Sequence, residues 1–110
     1  MADISELVDD LLLDGMVDIG DIAAVAGTTA RSVSRWREGV SPRRSAEERL
    51  LELNAVVELL RHVLGNKPGR LWMKSPNPDL DYEKPLELIE RGEYRRVVGA
   101  VLAMAEGVTD

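Results

Sequence analysis

Between Ala46 and Leu64 the chain has neither proline nor glycine, and its apolar residues recur every three or four positions. Leu50, Leu53, Val57, Leu60 and Leu64 form one stripe, which Leu51, Val56, Leu59 and Val63 widen. A helix with so broad an apolar face has to bury it, within its own domain or against another subunit. The same period runs through the rest of the chain. Ile4, Leu7, Val8, Leu11 and Leu12 predict a first helix ending before Gly15; Ile19 to Ala26 a second, stopped by Gly27; Ala30 to about Glu38 a third, stopped by Gly39. The five prolines fall at 42, 68, 76, 78 and 85, so the first three helices are uninterrupted and the later part is punctuated. Gly65-Asn66 reads as the stop of the long helix, with Lys67-Pro68-Gly69 as a turn. After Leu71-Trp72-Met73 and the turn-rich Ser75-Pro76-Asn77-Pro78, a short helix is expected from Pro85 to Arg91, and a last one from about Glu93 to Glu106. Pro85 suits the first position of its helix, where a missing N–H costs nothing. No segment alternates with period two, and the expected fold class is all-α.

Composition removes several kinds of chemistry. The 110 residues include no cysteine and one histidine, which excludes a disulfide scaffold, thiolate catalysis and cysteine-based metal sites, and disfavours a catalytic zinc. His62 lies in the long helix with no carboxylate at a telling spacing. There is no Gly-rich phosphate loop, no H-E-x-x-H and no close His–carboxylate–Ser set, and the paired acids Asp79 and Asp81 sit in a turn without an evident pocket. An enzyme is not expected, nor a cofactor or metal. With no signal-peptide pattern and no apolar run near 18 residues, the expectation is a cytoplasmic protein with no membrane association.

Charge is unevenly placed. The net charge is −6, yet residues 1–26 hold seven acids and no lysine or arginine, whereas residues 27–49 hold six arginines against three glutamates. A basic island in an acidic chain is a candidate footprint for an anionic partner. It coincides with a helix-turn-helix pattern. Ala23 is the small residue where two helices cross, Gly27 the turn residue able to adopt positive φ, and Val33 with Trp36 seat the second helix. That helix turns Thr29, Arg31, Ser32 and Arg35 outward toward bases or phosphates, and Arg37, Arg43 and Arg44 extend the phosphate contacts. The plainer alternative is a helical hairpin with a solvated arginine face, and Trp36 is core on either reading. The acidic first helix has to face away from DNA, and the net charge predicts weak non-specific affinity that falls steeply with salt.

The carboxyl-terminal half has an ordered set of elements: Leu71-Trp72-Met73, Ser75-Pro76-Asn77-Pro78-Asp79-Leu80, Lys84-Pro85-Leu86-Glu87-Leu88-Ile89, Gly92 and Tyr94-Arg95-Arg96-Val97. Over roughly residues 45–110 it resembles the toxin-binding domain of the Xre/MbcA/ParS antitoxins, with its Trp, Asn-Pro-x-Leu run, Pro-Leu-Glu-Leu-Leu helix, Gly and closing helix. Those antitoxins also carry a preceding helix-turn-helix, so the resemblance implies a DNA-binding region over 1–44 and a toxin-binding domain over 45–110. It further implies a partner toxin of the RES-domain family that destroys NAD. The resemblance implies as well that the antitoxin's carboxyl-terminal end blocks NAD access and that the operon is repressed through operator DNA.

The residues fit that implication without requiring it. Val97 to Ala105 is apolar on nearly all sides, so it is either central core or a partner interface. Met104 and the run Glu106-Gly107-Val108-Thr109-Asp110 are the expected toxin contacts, the acids pairing with arginines that otherwise hold NAD phosphates. Arg91, Arg95 and Arg96 are candidate surface contacts, with a solvated charged face as the alternative. Trp72, Asn77, Pro78, Leu80, Pro85 and Gly92 are expected to build the module. The long helix joins the two regions and is a candidate homodimer surface, which would set two recognition helices about 34–36 Å apart or a multiple of that. The rival reading is a stand-alone repressor whose second module only dimerises.

Overall fold

The computed structural model describes residues 3–109 of the backbone and side chains through Gly107. Seven α-helices follow one another among these residues: α1 (Ile4–Leu12), α2 (Ile19–Ala26), α3 (Ala30–Arg37), α4 (Arg44–Val63), α5 (Asn66–Met73), α6 (Pro85–Glu90) and α7 (Tyr94–Thr109). A single 3-10 turn, Pro78–Leu80, lies between α5 and α6. No strand occurs among the described residues; one isolated bridge joins Asn77 to Glu83. The chain is all-α, as the periodicity predicts.

Local chemistry sets the boundaries. Asp18 caps α2 by accepting the Asp21 N–H at 2.8 Å, while Asp21 accepts the Asp18 N–H at 2.9 Å, a reciprocal box of the kind that contributes on the order of 1 kcal/mol. Gly27 ends α2 at φ 72°, a left-handed conformation that costs any residue with a Cβ. Thr29 then caps α3, its Oγ1 accepting the Ser32 N–H at 3.1 Å.

The expected Lys67-Pro68-Gly69 turn is instead the first turn of α5. Pro68 stands where a helix N–H has no partner to lose, and the Gly69 N–H reaches the Gly65 carbonyl at 2.9 Å. α5 lies against Met16 here: a Cβ on Gly69 would come within 2.7 Å of the Met16 Cε, the end of a flexible side chain that would have to move aside.

α4 is the spine. Ala46, Leu50, Leu53, Val56, Val57 and Leu60 are buried on it, with α1 and α2 packed along one part and α5, α6 and α7 along others. One continuous core runs from Leu7 and Val8 through α4 to Val97 and Val101, and α2 also packs directly on α6. The molecule is elongated, 45 × 23 × 22 Å. No helix among the described residues is long and apolar enough to cross a membrane.

Candidate functional site

Two surfaces carry the residues singled out from the sequence. On the first, α2 and α3 meet across a three-residue turn, with Ala23, Val33 and Trp36 buried between them. Arg31, Arg35 and Arg43 point to solvent and make no ion pair among the described residues. The other candidates there are engaged. Thr29 and Ser32 share the cap of α3, with 3.3 Å between their hydroxyls. Arg44 lies 3.5 Å from Glu48, and the Arg37 Nε donates to Asp9 at 2.9 Å. That last pair shows the acidic α1 packing against α3 and neutralising one arginine beside it. A polar groove of about 420 Å³ opens between the α2–α3 turn and the start of α4, lined by Thr28, Ser32, Arg43 and Ser45 among others. Arg43 is the residue preceding α4, and no side chain caps that helix.

On the second surface the charges are consumed internally. Arg91 donates to both oxygens of Glu83 at 2.7 and 2.9 Å and to Glu93 at 3.0 Å. Arg96 donates to Glu93 at 2.9 Å and to Asp81 at 3.1 Å. Hydrogen bonding from Arg91 holds the Glu83 carboxyl below the usual glutamate range, and bonds from Arg96 and Arg91 do the same for Glu93. The Arg91 guanidinium is raised in turn, chiefly by Glu83. Arg95 remains exposed, its guanidinium 6.0 Å from the Tyr94 ring centroid. The spacing Glu93–Arg96 is readable as an i,i+3 pair on a helix; Asp81 and Glu83 reach these arginines through the fold and carry no such signal.

This network frames a tight turn. Asn77 Oδ1 accepts the Asp79 N–H at 2.8 Å, and the Asn77 backbone exchanges bonds with Tyr82 and Glu83 at 2.8 and 3.1 Å. Asp81 and Tyr82 both sit at positive φ, 56° and 64°, a strained conformation for residues with a Cβ. Leu80 plugs the turn into the core, as do Leu86, Leu88 and Ile89 of α6. Pro85 opens α6, and Gly92, at φ 85°, fits beneath the Arg49 guanidinium, which a Cβ would strike at 2.5 Å. Trp72 and Met104 are half-buried, lining a groove between α5, the turn and α7.

α7 is amphipathic: Val97 and Val101 are fully buried against the core, with Met104 half-buried in the same row, whereas Leu102, 48% exposed, and Ala103 face solvent. Glu106 and Gly107 are exposed on its last turns. Asp110 and the side chains of Val108 and Thr109 lie outside the described residues.

A bridge joins the two surfaces that sequence reasoning missed. Arg70 of α5 donates to Asp18 at 3.1 Å, to Asp21 at 3.3 Å and to the Met16 carbonyl at 3.0 Å; Lys74 lies 2.9 Å from Asp21. Arg61 of α4 holds Asp14 at 2.8 Å and the Asp10 carbonyl at 2.6 Å.

The profile of the antitoxin Xre/MbcA/ParS C-terminal toxin-binding domain matches residues 59–107. The mycobacterial cidal antitoxin MbcA of Mycobacterium tuberculosis is 44% identical over 92 residues, 83% of this chain and 79% of that protein. The chain belongs to the Xre/MbcA/ParS antitoxin family. The MbcA of Mycobacterium bovis matches to the same extent, and a probable mycobacterial cidal antitoxin, Rv3188, of Mycobacterium tuberculosis is 33% identical over 94% of this chain and 88% of its own length. Among solved structures, a chain of the M. tuberculosis MbcT–MbcA toxin–antitoxin complex superposes with a TM-score of 0.85 at 35% identity, over 98% of each chain. The Xre/MbcA/ParS domain match takes in the strained turn, the Arg91–Arg96 network and nearly all of α7. The structural likeness extends over α1 to α3 as well.

Proposed function

We propose that this antitoxin binds and neutralises a NAD-degrading toxin of the RES-domain family by placing its carboxyl-terminal end where NAD would enter. The observation that carries this reading is the outer face of α7, which leaves Leu102, Ala103, Glu106 and Gly107 exposed toward the end of the helix. An exposed helix face that carries apolar as well as acidic groups suits a partner surface. The relative solved together with MbcT supports the choice of partner. Glu106 and Asp110 supply acids for arginines that otherwise hold NAD phosphates. No catalytic role is assigned to this chain.

Residues 1–44 form, on this reading, a DNA-reading helix-turn-helix, and residues 45–110 the toxin-binding unit. Arg31 and Arg35 reach base edges or phosphates, and the uncapped start of α4 beside Arg43 suits a phosphate. Two copies joined through α4, where Leu51 is 53% exposed, would present paired α3 helices to a two-fold operator in the cytoplasm.

The test is co-purification with the product of the neighbouring gene, followed by NAD consumption with and without this chain. A complex whose NAD-consuming activity emerges when the chain is removed supports the reading. Deleting residues 106–110 should abolish inhibition while leaving the fold and any DNA binding intact. Unchanged inhibition would place the block elsewhere, and the lack of any complex would favour a stand-alone repressor.

A further inference from the structure

Two grooves flank the turn at residues 77–81. One, of about 400 Å³, runs between Trp72 of α5 and Met104 of α7; the other, of about 390 Å³, lies over Gly99 and Ala103 of α7. Asp79 and Ala100 line both, so the grooves are neighbours separated by one ridge.

The ridge is rigid and charged. Its backbone is held by Asn77 and strained at Asp81 and Tyr82, a cost that folded chains concentrate at clamps and binding sites. The strain lifts Tyr82 into solvent, 72% exposed, so it is not repaid by burying that ring. Asp81, Glu83 and Glu93 around the turn are all taken by Arg91 or Arg96. The Asp79 carboxylate, at the junction of the grooves, has no cation partner among the described residues.

Gly99 adds an independent hint. It lies in the middle of α7, where glycine weakens a helix, yet a Cβ there would meet nothing within 4 Å. Internal packing does not require that glycine, which leaves the helix backbone open to close approach from outside.

We propose that the grooves on either side of Asp79 receive a segment of the toxin that seats an apolar side chain between Trp72 and Met104 and pairs a lysine or arginine with Asp79. Charge and shape select that occupant: an apolar trough beside Trp72, an unpaired carboxylate on its rim, and Gly99 in the second groove, which permits close backbone approach. Arg96, the cation lining that second groove, is already paired with Asp81 and Glu93. This deepens the toxin-binding reading and rests on it. It gives α7 two tasks, gripping the toxin along 99–104 and blocking it with the end beyond.

The test measures toxin affinity, melting temperature and self-association for the unchanged chain and for Gly99→Gln, Asp79→Lys and Asp79→Glu, with the toxin encoded by the neighbouring gene as probe. Gly99→Gln should keep or raise the melting temperature while weakening toxin binding roughly tenfold or more, because the new side chain fills the groove and also favours the helix. Asp79→Lys should weaken binding by about tenfold or more and Asp79→Glu by much less, with a lower association rate at low salt for the lysine variant. Asp79 is exposed and its side chain holds no part of the turn, so the lysine variant keeps the test valid even if Gly99→Gln folds poorly. Unchanged toxin affinity in Gly99→Gln and Asp79→Lys overturns the proposal while leaving toxin binding intact. Loss of self-association with full toxin affinity would assign the grooves to a second copy and also overturn it. Failure of the unchanged chain to bind the toxin overturns the functional reading, and this proposal with it.

Discussion

The region around α3 and the region around α7 manage charge in opposite ways. On α3 the large apolar residues Val33 and Trp36 are buried, and arginines 31, 35 and 43 stand free of ion pairs among the described residues. Around α7 the arginines 91 and 96 are held by Asp81, Glu83 and Glu93, while apolar residues of the helix face solvent. Free cations attract a polyanion over a Debye length with little demand on shape, whereas an apolar face with its charges locked binds only what fits it. One molecule thus carries one surface suited to long-range, salt-sensitive attraction and another suited to short-range complementarity. Both are built on the same core, and that is where the comparison is most exposed to failure.

The largest effect should come from that core. Leu53 is fully buried on α4, and Leu53→Ala removes methyl groups the neighbours cannot fully replace, at a cost of about 2–5 kcal/mol. Trp36 and Trp72 report separately from the two regions, so Trp36→Phe and Trp72→Phe leave one fluorophore in each. Urea unfolding of these variants should give coincident transitions, and Leu53→Ala should shift both equally. Two separate midpoints would mean that the regions fold independently despite the continuous packing of α2 on α4 and α6.

Next in size is the removal of the free arginines. Arg31→Ala with Arg35→Ala should lower operator affinity by roughly tenfold to a hundredfold and reduce the slope of log affinity against log salt by about 0.9 for each phosphate no longer neutralised. Toxin affinity should stay where it was. An equal fall in both would make the arginines structural, although they are exposed and form no ion pair among the described residues.

How far the sequence shows this division depends on the range of the interactions. The helices α1 to α4 follow from local period and stops such as Gly27, since caps and apolar stripes act within a few residues. α5 is hidden because Pro68-Gly69 has the composition of a turn, and the helix is stabilised by packing on Met16, far away in sequence. The grooves and the paired arginines are hidden for a related reason. Arg91 and Arg96 look free until the turn at 77–83 folds back and supplies Asp81 and Glu83. Arg37 looks like its neighbours until α1 brings Asp9 to it. Family resemblance identifies the toxin-binding domain without revealing which of its charges are already spent.

The two regions are joined by ion pairs, and loosening these should have an intermediate effect. Arg70→Met removes donors to Asp18, Asp21 and the Met16 carbonyl, leaving the Asp21 carboxylate, only 9% exposed, with Lys74 as its cation. A cost of about 1–3 kcal/mol is expected from a polar group left under-satisfied near the surface. Urea midpoints should fall accordingly, with toxin affinity kept and operator affinity reduced if the set of α2 depends on α5. A wild-type midpoint would show that the pairs are solvent-screened and that apolar packing alone joins the regions.

The smallest effect is the dependence of stability on pH, and its sign separates the groups at this junction. The Glu90 carboxyl is raised, first by burial and then by the nearby Glu87 and Asp21, against some relief from Lys74. Asp18 is lowered, first by the Asp21 N–H bond, which with Arg70 outweighs partial burial. At Asp14 burial is the largest influence and acts upward, but the bonds from Arg61 and the Met16 N–H together overcome it, leaving the carboxyl low. As pH falls from neutral through the raised value of Glu90, the folded chain binds a proton the unfolded chain does not, and stability should rise until about pH 4.3, where an unfolded glutamate titrates. Below about pH 4 the unfolded aspartates take protons that folded Asp14 and Asp18 resist, and stability should fall progressively toward their lowered values. The urea midpoint should therefore peak on the acid side of neutrality. Glu90→Gln should remove the rise and keep the acid fall, whereas Asp14→Asn should lessen the fall, to which Asp18, Glu83 and Glu93 also contribute, and keep the rise. A midpoint that declines steadily from pH 7 in the unchanged chain, and that Glu90→Gln leaves unaltered, would show that Glu90 is solvated where α6 meets α2.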